Sequence, residues 1–236
     1  MKNQLLSLSL IALLSGGINN SYSQNSELSE DSKLMIFGES NHMSEKQKDF
    51  MVNSIDSLKE QGYNYFAIEL PVRCDNSVQS YLKSNKKDKD LVIDQLLELW
   101  PSRGALEVAY NFYKNGFKVV PIDEGIEEEN SLVGWKRIND TLMEFNNERD
   151  FYMAKNIEKI LEKDSCAKIV AYTGAFHANK RRNYTFSYKY PTMAGILKKK
   201  GINQKTICLI DKNNNGYINT RKEKLNKSFE KIIYIE

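Results

Sequence analysis

The chain has 236 residues, 41% of them hydrophobic and 28% charged, with 12 glycines, 4 prolines and only 2 histidines. That is enough chain for one large core or two small ones, and the glycine and proline content excludes a collagenous or low-complexity protein. The 34 basic and 31 acidic residues leave a net charge of +3, too little to argue for nucleic acid, and two histidines cannot build a three-histidine zinc site within one chain.

Residues 1–23 have the layout of a secretory signal peptide: Lys2 at the start, an apolar stretch over 5–14, and the small-x-small signature Ser21-Tyr22-Ser23. Cleavage after Ser23 would make the protein secreted or periplasmic. No apolar run approaches the roughly 20 residues of a membrane span, so no transmembrane segment is expected. The first cysteine is Cys74, so no lipobox cysteine follows the leader. Residues 24–32 read as a flexible N-terminal segment, and 33–236 as one domain. Cys74, Cys166 and Cys208 are an odd number, which leaves at least one unpaired within a chain. Cys208 lies in an apolar run and reads as a small buried hydrophobe.

Short, nearly continuous apolar runs at 34–37, 65–68, 118–122, 168–172 and 206–210 are the pattern of strands covered on both faces. Helical patterns fall between them at 44–61, 89–99, 103–115, 147–162 and 191–200. Ser44, three residues before Gln47, fits a capping box, while Gly62, Gly116 and Gly201 fit helix stops. This alternation predicts a single α/β domain with a largely parallel sheet flanked by helices.

Four of these strands run into polar residues. The first leads to Gly38-Glu39-Ser40-Asn41-His42 and the second to Glu69-Leu70-Pro71-Val72-Arg73. The third leads to Asp123-Glu124-Gly125 and the fourth to Thr173-Gly174-Ala175-Phe176-His177. Both histidines of the chain are therefore expected beside Glu39, Glu69 and Asp123 at the carboxyl ends of the strands, where open α/β sheets bind ligands. Helix capping accounts for carboxylates after strands, but not for imidazoles.

The run Ile36 to His42, the following amphipathic helix and Phe66-Ala67-Ile68-Glu69 resemble the erythromycin esterase-like family. That family opens with a glycine-glutamate-x-x-histidine motif and carries a second glutamate at the end of the next strand. The resemblance continues through Val120-Pro121-Ile122-Asp123, an arginine-bearing helix at Arg149 to Ile157, the later His177-Ala178, and Pro191-Thr192-Met193-Ala194-Gly195. Trp100-Pro101 and Thr173 to His177 are similar to the ChaN-like haem-uptake branch of the wider Tiki superfamily. The resemblance implies a metal-independent hydrolase of an ester or related acyl bond in a small-molecule substrate. His42 would be the general base, oriented by Glu39 or Glu69. His177 would polarise the carbonyl or protonate the leaving group, and Arg149 or Arg73 would stabilise the oxyanion. Arg73 and Asp123 join as substrate-binding residues on placement alone. Two other readings stand beside it: a divalent metal or haem held by His42, His177, Glu39 and Glu69, and a binding protein without turnover. No glycine-x-serine-x-glycine elbow is present.

Other signals are discounted. The stretch from Asp211 imitates half of an EF-hand loop, but its twelfth position is Lys222. A turn at Asn215-Gly216 explains it better. Lys180-Arg181-Arg182 and Lys198-Lys199-Lys200 read as solvated faces, with Lys180 or Arg181 as an alternative anchor for an anionic substrate. Tyr184, Phe186 and Tyr188 alternate as in an edge hairpin.

Overall fold

The computed structural model describes residues 32–84, 103–123, 141–180, 191–213 and 227–235. The leader, the 89–99 helix, the aromatic alternation at 184–188 and the turn at Asn215-Gly216 lie outside these residues.

Six strands form one sheet: β1 (Leu34–Glu39), β2 (Tyr65–Pro71), β3 (Lys118–Asp123), β4 (Ile169–Gly174), β5 (Gln204–Asp211) and β6 (Lys231–Ile235), in the order β3-β2-β4-β1-β5-β6. Every adjacent pair is parallel. The five expected strands are present, each extended by one to three residues toward its carboxyl end or beginning within two residues of the expected start. β6 completes the sheet at its β5 edge. It is only partly buried, and its apolar run is short and isolated near the end of the sequence.

Parallel strands need crossover connections, and here helices cover both faces of the sheet. The helices among the described residues are α1 (Glu45–Asn53), α2 (Ile55–Glu60), α3 (Asp75–Lys83), α4 (Arg103–Lys114), α5 (Thr141–Lys163), α6 (Ala175–Ala178) and α7 (Met193–Lys199). On the first face Met51, Leu58, Val78, Leu82, Leu106 and Phe112 of α1–α4 meet Met35, Phe37, Phe66, Ile68 and Val170. On the second, Met153, Ile157, Ala175, Ala178, Met193 and Leu197 of α5–α7 meet Leu34, Ile36, Ala67, Ile169 and Ala171. The alternation along β1, with odd positions on one face and even positions on the other, follows from the two-residue period of a strand. Burying each such Leu, Ile or Phe contributes roughly 1.5–3 kcal/mol.

The helix expected over 44–61 divides at Ser54. Its hydroxyl donates to the Met51 carbonyl at 2.7 Å, a back-bond that bends helices. Gly62, Gly116 and Gly201 follow α2, α4 and α7 with φ of 84°, 89° and 79°, the left-handed conformation that ends helices and suits glycine. All three cysteines are free; Cys74 and Cys208 are buried and Cys166 is exposed. Burial pushes the Cys208 thiol up to about 12.

Gly38 sets how closely the short helix α6 sits on β1. A Cβ there would lie 2.7 Å from Ala175 Cα and 2.7 Å from Ala178 Cβ. Gly38→Ala is expected to cost about 1–3 kcal/mol of stability through this overpacking, read as a lowered urea midpoint.

Candidate active site

β4 lies between β2 and β1. The helices after β1 and β2 pack on the first face, while α6 after β4 packs on the second. Neighbouring chain paths therefore leave the sheet in opposite directions at its carboxyl edge, the position at which open α/β sheets bind ligands. The two histidines stand on either side of that divide.

His42 is delivered by a tight turn. The Met43 N–H donates to Asn41 Oδ1 at 2.9 Å and the Ser44 N–H to the Asn41 carbonyl at 3.0 Å, an Asx-type turn. Ser44 then caps α1, its Oγ accepting from the Gln47 N–H at 3.4 Å and donating to Asp211 Oδ2 at 2.7 Å. The other half of the expected capping box is diverted. The buried Gln47 amide donates to Ser40 Oγ at 2.7 Å and to the Leu209 carbonyl at 3.1 Å, and its Oε1 accepts from the Asn41 N–H at 3.3 Å. Gln47 thus ties the His42 turn to β5. Gln47→Ala is expected to leave these groups unpaired and cost about 1–3 kcal/mol, checked by chemical denaturation.

His42 Nδ1 lies 2.5 Å from Glu39 Oε1, and the His42 side chain is 47% exposed while that of Glu39 is 4% exposed. The imidazole leans over Gly174: a Cβ there would fall 3.1 Å from His42 Cε1 and 3.6 Å from Glu69 Oε2. Burial opposes protonation of His42. The hydrogen bond to Glu39 and the charges of Glu69 and Glu39 outweigh both burial and repulsion from His177, so its pKa lies above the ordinary 6.5.

Behind this pair is a buried ionic network. Glu69 Oε2 accepts the Gly174 N–H at 2.6 Å, and its Oε1 accepts from Arg149 Nη2 at 2.7 Å and faces His177 Nε2 at 3.4 Å. Arg149 also donates through Nε to Asp123 Oδ1 and Oδ2 at 3.1 and 3.0 Å, and through Nη2 to Oδ2 at 2.6 Å. Asp123 is 0% exposed. His177 Nδ1 meets Asp150 Oδ1 at 2.8 Å, and that same oxygen accepts the Met193 N–H at 2.6 Å. Burial disfavours the His177 imidazolium, but the charges of Asp150 and Glu69 and its bonds to them raise its pKa to about 10. Burial would raise Glu69; the His177 charge and hydrogen bond, then the charges of Arg149 and His42, hold it far below 4.5.

Of the residues singled out from the sequence, Glu39, His42, Glu69, Asp123, Arg149 and His177 are brought into one cluster. Arg73 is exposed and turns to the Cys74 thiol, with no hydrogen bond or ion pair to the cluster among the described residues. Asp123 belongs to the network as the buried partner of Arg149. The Lys180 ammonium is taken by Glu230, and Lys198 and Lys199 are exposed.

Two members carried no role in the sequence reading. Asp150 was legible only as the neighbour of Arg149. Tyr172, whose hydroxyl donates to Glu39 Oε2, looked like one more apolar residue of a covered strand.

Among the described residues, no group of three or more His, Cys, Asp or Glu side chains is arranged to hold a metal ion. Both ring nitrogens of His177 face carboxylates, Nε2 toward Glu69 and Nδ1 toward Asp150. Glu39 with His42, and Glu69 with His177, are arranged as acid–base partners.

No protein-family description and no curated protein matches the chain. Among solved structures, a mutant of the erythromycin esterase EreC in its open conformation aligns with 78% of this chain and 71% of its own. The TM-score is 0.56 and the identity 11%. ChaN of Campylobacter jejuni, described with cofacial heme binding, aligns with 76% of this chain and 82% of its own, at TM-score 0.51 and 15% identity. At such identities the likeness is one of fold. No helix among the described residues is long and apolar enough to cross a membrane.

Proposed function

We propose that this protein is a secreted or periplasmic hydrolase that uses His42 to activate water against an ester or related acyl bond. The observation that carries the reading is the 2.5 Å contact between His42 Nδ1 and the buried Glu39 carboxylate, on an imidazole that is 47% exposed. With Nδ1 committed to Glu39, proton exchange with a water falls to Nε2. Neutral His42 takes a proton from water as the oxygen attacks the carbonyl carbon, and Glu39 stabilises the imidazolium that forms. The His177 imidazolium offsets negative charge on the carbonyl oxygen. His42 then returns its proton to the leaving oxygen as the acyl bond breaks, releasing acid and alcohol. Arg149 and Asp123 hold Glu69, and Glu69 with Asp150 holds His177 charged.

The cluster contains four carboxylates (Glu39, Glu69, Asp123, Asp150) against three cationic groups (His42, Arg149, His177). With no surplus positive charge to attract an anion, a neutral acyl substrate suits it better than a polyanionic one. The fold shared with EreC supports the reading, and the fold shared with ChaN supports a competing one, haem binding. The test is hydrolysis of a panel of p-nitrophenyl esters and lactones by the wild type, His42→Ala and Glu39→Gln, with haem titration in parallel. Hydrolysis lost in both variants is expected. Hydrolysis unaffected by His42→Ala, or stoichiometric haem binding abolished by it, would replace this reading.

A further inference from the structure

His42 has an orienting partner, and that partner is itself held. Glu39 offers Oε1 to His42 and Oε2 to the Tyr172 hydroxyl. β1 and β4 are adjacent, with Phe37 registered against Tyr172 and Glu39 against Gly174. Tyr172 therefore stands two positions back from Glu39 along the sheet edge and on the same face. Its ring is fixed by an aromatic column: Phe66 stacks on Phe112 with centroids 3.9 Å apart, and Tyr172 lies 6.3 Å from Phe66 at 27°. Tyr172 is 2% exposed, so its hydroxyl has little freedom to turn elsewhere.

We propose that Tyr172 is the positioning residue of the base, holding Oε2 of Glu39 so that Oε1 remains on Nδ1 of His42. A carboxylate oxygen left unpaired at this depth is costly. Without the hydroxyl, Glu39 turns Oε2 toward solvent and gives up His42. Burial, then the charges of Glu39, Glu45 and Glu69, raise the Tyr172 pKa above 10.0, which keeps the hydroxyl a donor across the working range. Among the described residues, the charged groups that act on His42 are Glu39, Glu69 and His177.

The role of His42 as a base rests on the hydrolase reading, but its hydrogen bond to Glu39 is observable without any substrate. The chain has only 2 histidines, so imidazole ¹⁵N and downfield proton spectra of the full chain contain one signal set for His42 and one for His177. The wild type is expected to show a strongly downfield Nδ1 proton from His42 and an apparent pKa above 6.5. Tyr172→Phe is expected to lose that proton and bring the His42 pKa down toward 6.5, as Glu39→Gln does. The His177 signals stay unchanged and report the intact fold. Placing 4-aminophenylalanine at 172 restores a donor of similar reach and is expected to return both signatures. Retention of the downfield proton and pKa in Tyr172→Phe overturns the proposal, as does failure of the amino analogue to restore what phenylalanine removed. Where an ester substrate is turned over, Tyr172→Phe lowers kcat with little change in KM. If no ester is turned over by any form, the hydrolase reading fails while the spectra still decide the role of Tyr172.

Discussion

Replacement of His42 by alanine is expected to lower kcat/KM on an ester substrate by about 10²–10⁴-fold, the usual contribution of a positioned general base. The wild-type pH profile carries the sign. A base must be unprotonated to act, so activity rises with pH through the His42 pKa. Glu39 and Glu69 place that pKa above 6.5 against the opposing effect of burial. At the alkaline end, loss of the His177 proton near pH 10 removes the positive charge that the proposed mechanism sets against the oxyanion. The profile is therefore bell-shaped, with its acid limb above 6.5 and its alkaline limb near 10. Glu39→Gln withdraws the main partner that raises His42, and the acid limb moves down while turnover falls. Initial rates across pH 5–11 check both limbs. An acid limb unmoved by Glu39→Gln would detach that limb from His42.

The second large effect is on stability. Arg149→Met is expected to cost about 3–5 kcal/mol, because it strands the carboxylates of Asp123 and Glu69 in a buried site without their cation. Their loss is coupled: Arg149→Met combined with Asp123→Asn should cost less than the sum of the single changes. The network also sets the pH range of the fold. Glu69 is depressed below 4.5, chiefly by His177 and Arg149 against burial, so its contribution is present above that pH and is lost as pH falls. His177 is raised from 6.5 to about 10, so its contribution is complete below 6.5 and is lost as pH rises through about 10. Thermal unfolding should give the highest Tm between roughly pH 4.5 and 6.5 for these two groups. His177→Asn should flatten the alkaline decline. A decline of unchanged slope in that variant would mean another group carries it.

Much of this arrangement was already legible along the chain. The five apolar runs became β1–β5 because a strand buried on both faces must be apolar at every position, and that demand is local. Gly62, Gly116 and Gly201 marked helix ends because few other residues adopt positive φ at low cost. Residues following a strand must emerge at its carboxyl end, so Glu39, His42, Glu69, Asp123 and His177 could be placed at one sheet edge before any strand order was known.

Pairing was another matter. Which carboxylate meets which cation depends on strand order and helix face, and these are set by packing between segments far apart in sequence. Asp150 reaches His177 because α5 lies on the same face as α6 and α7, and Asp123 reaches Arg149 across α5 and β3. Gln47 abandoned its local capping partner because burial against β5 offered it the Leu209 carbonyl, together with Ser40 and Asn41 of the preceding turn. Tyr172 gave no periodic signal, since a tyrosine whose ring packs in the core and whose hydroxyl finds one buried acceptor has the same strand pattern as a phenylalanine. Arg73 stood at a strand end like the others, yet the short 3₁₀ turn Val72–Cys74 carries it outward. The amino-acid sequence by itself determined the layers of this protein and the edge at which its polar residues gather. Only the tertiary structure decided their partners, because hydrogen-bond and charge pairing is a matter of a few ångströms between segments that the chain order leaves unrelated.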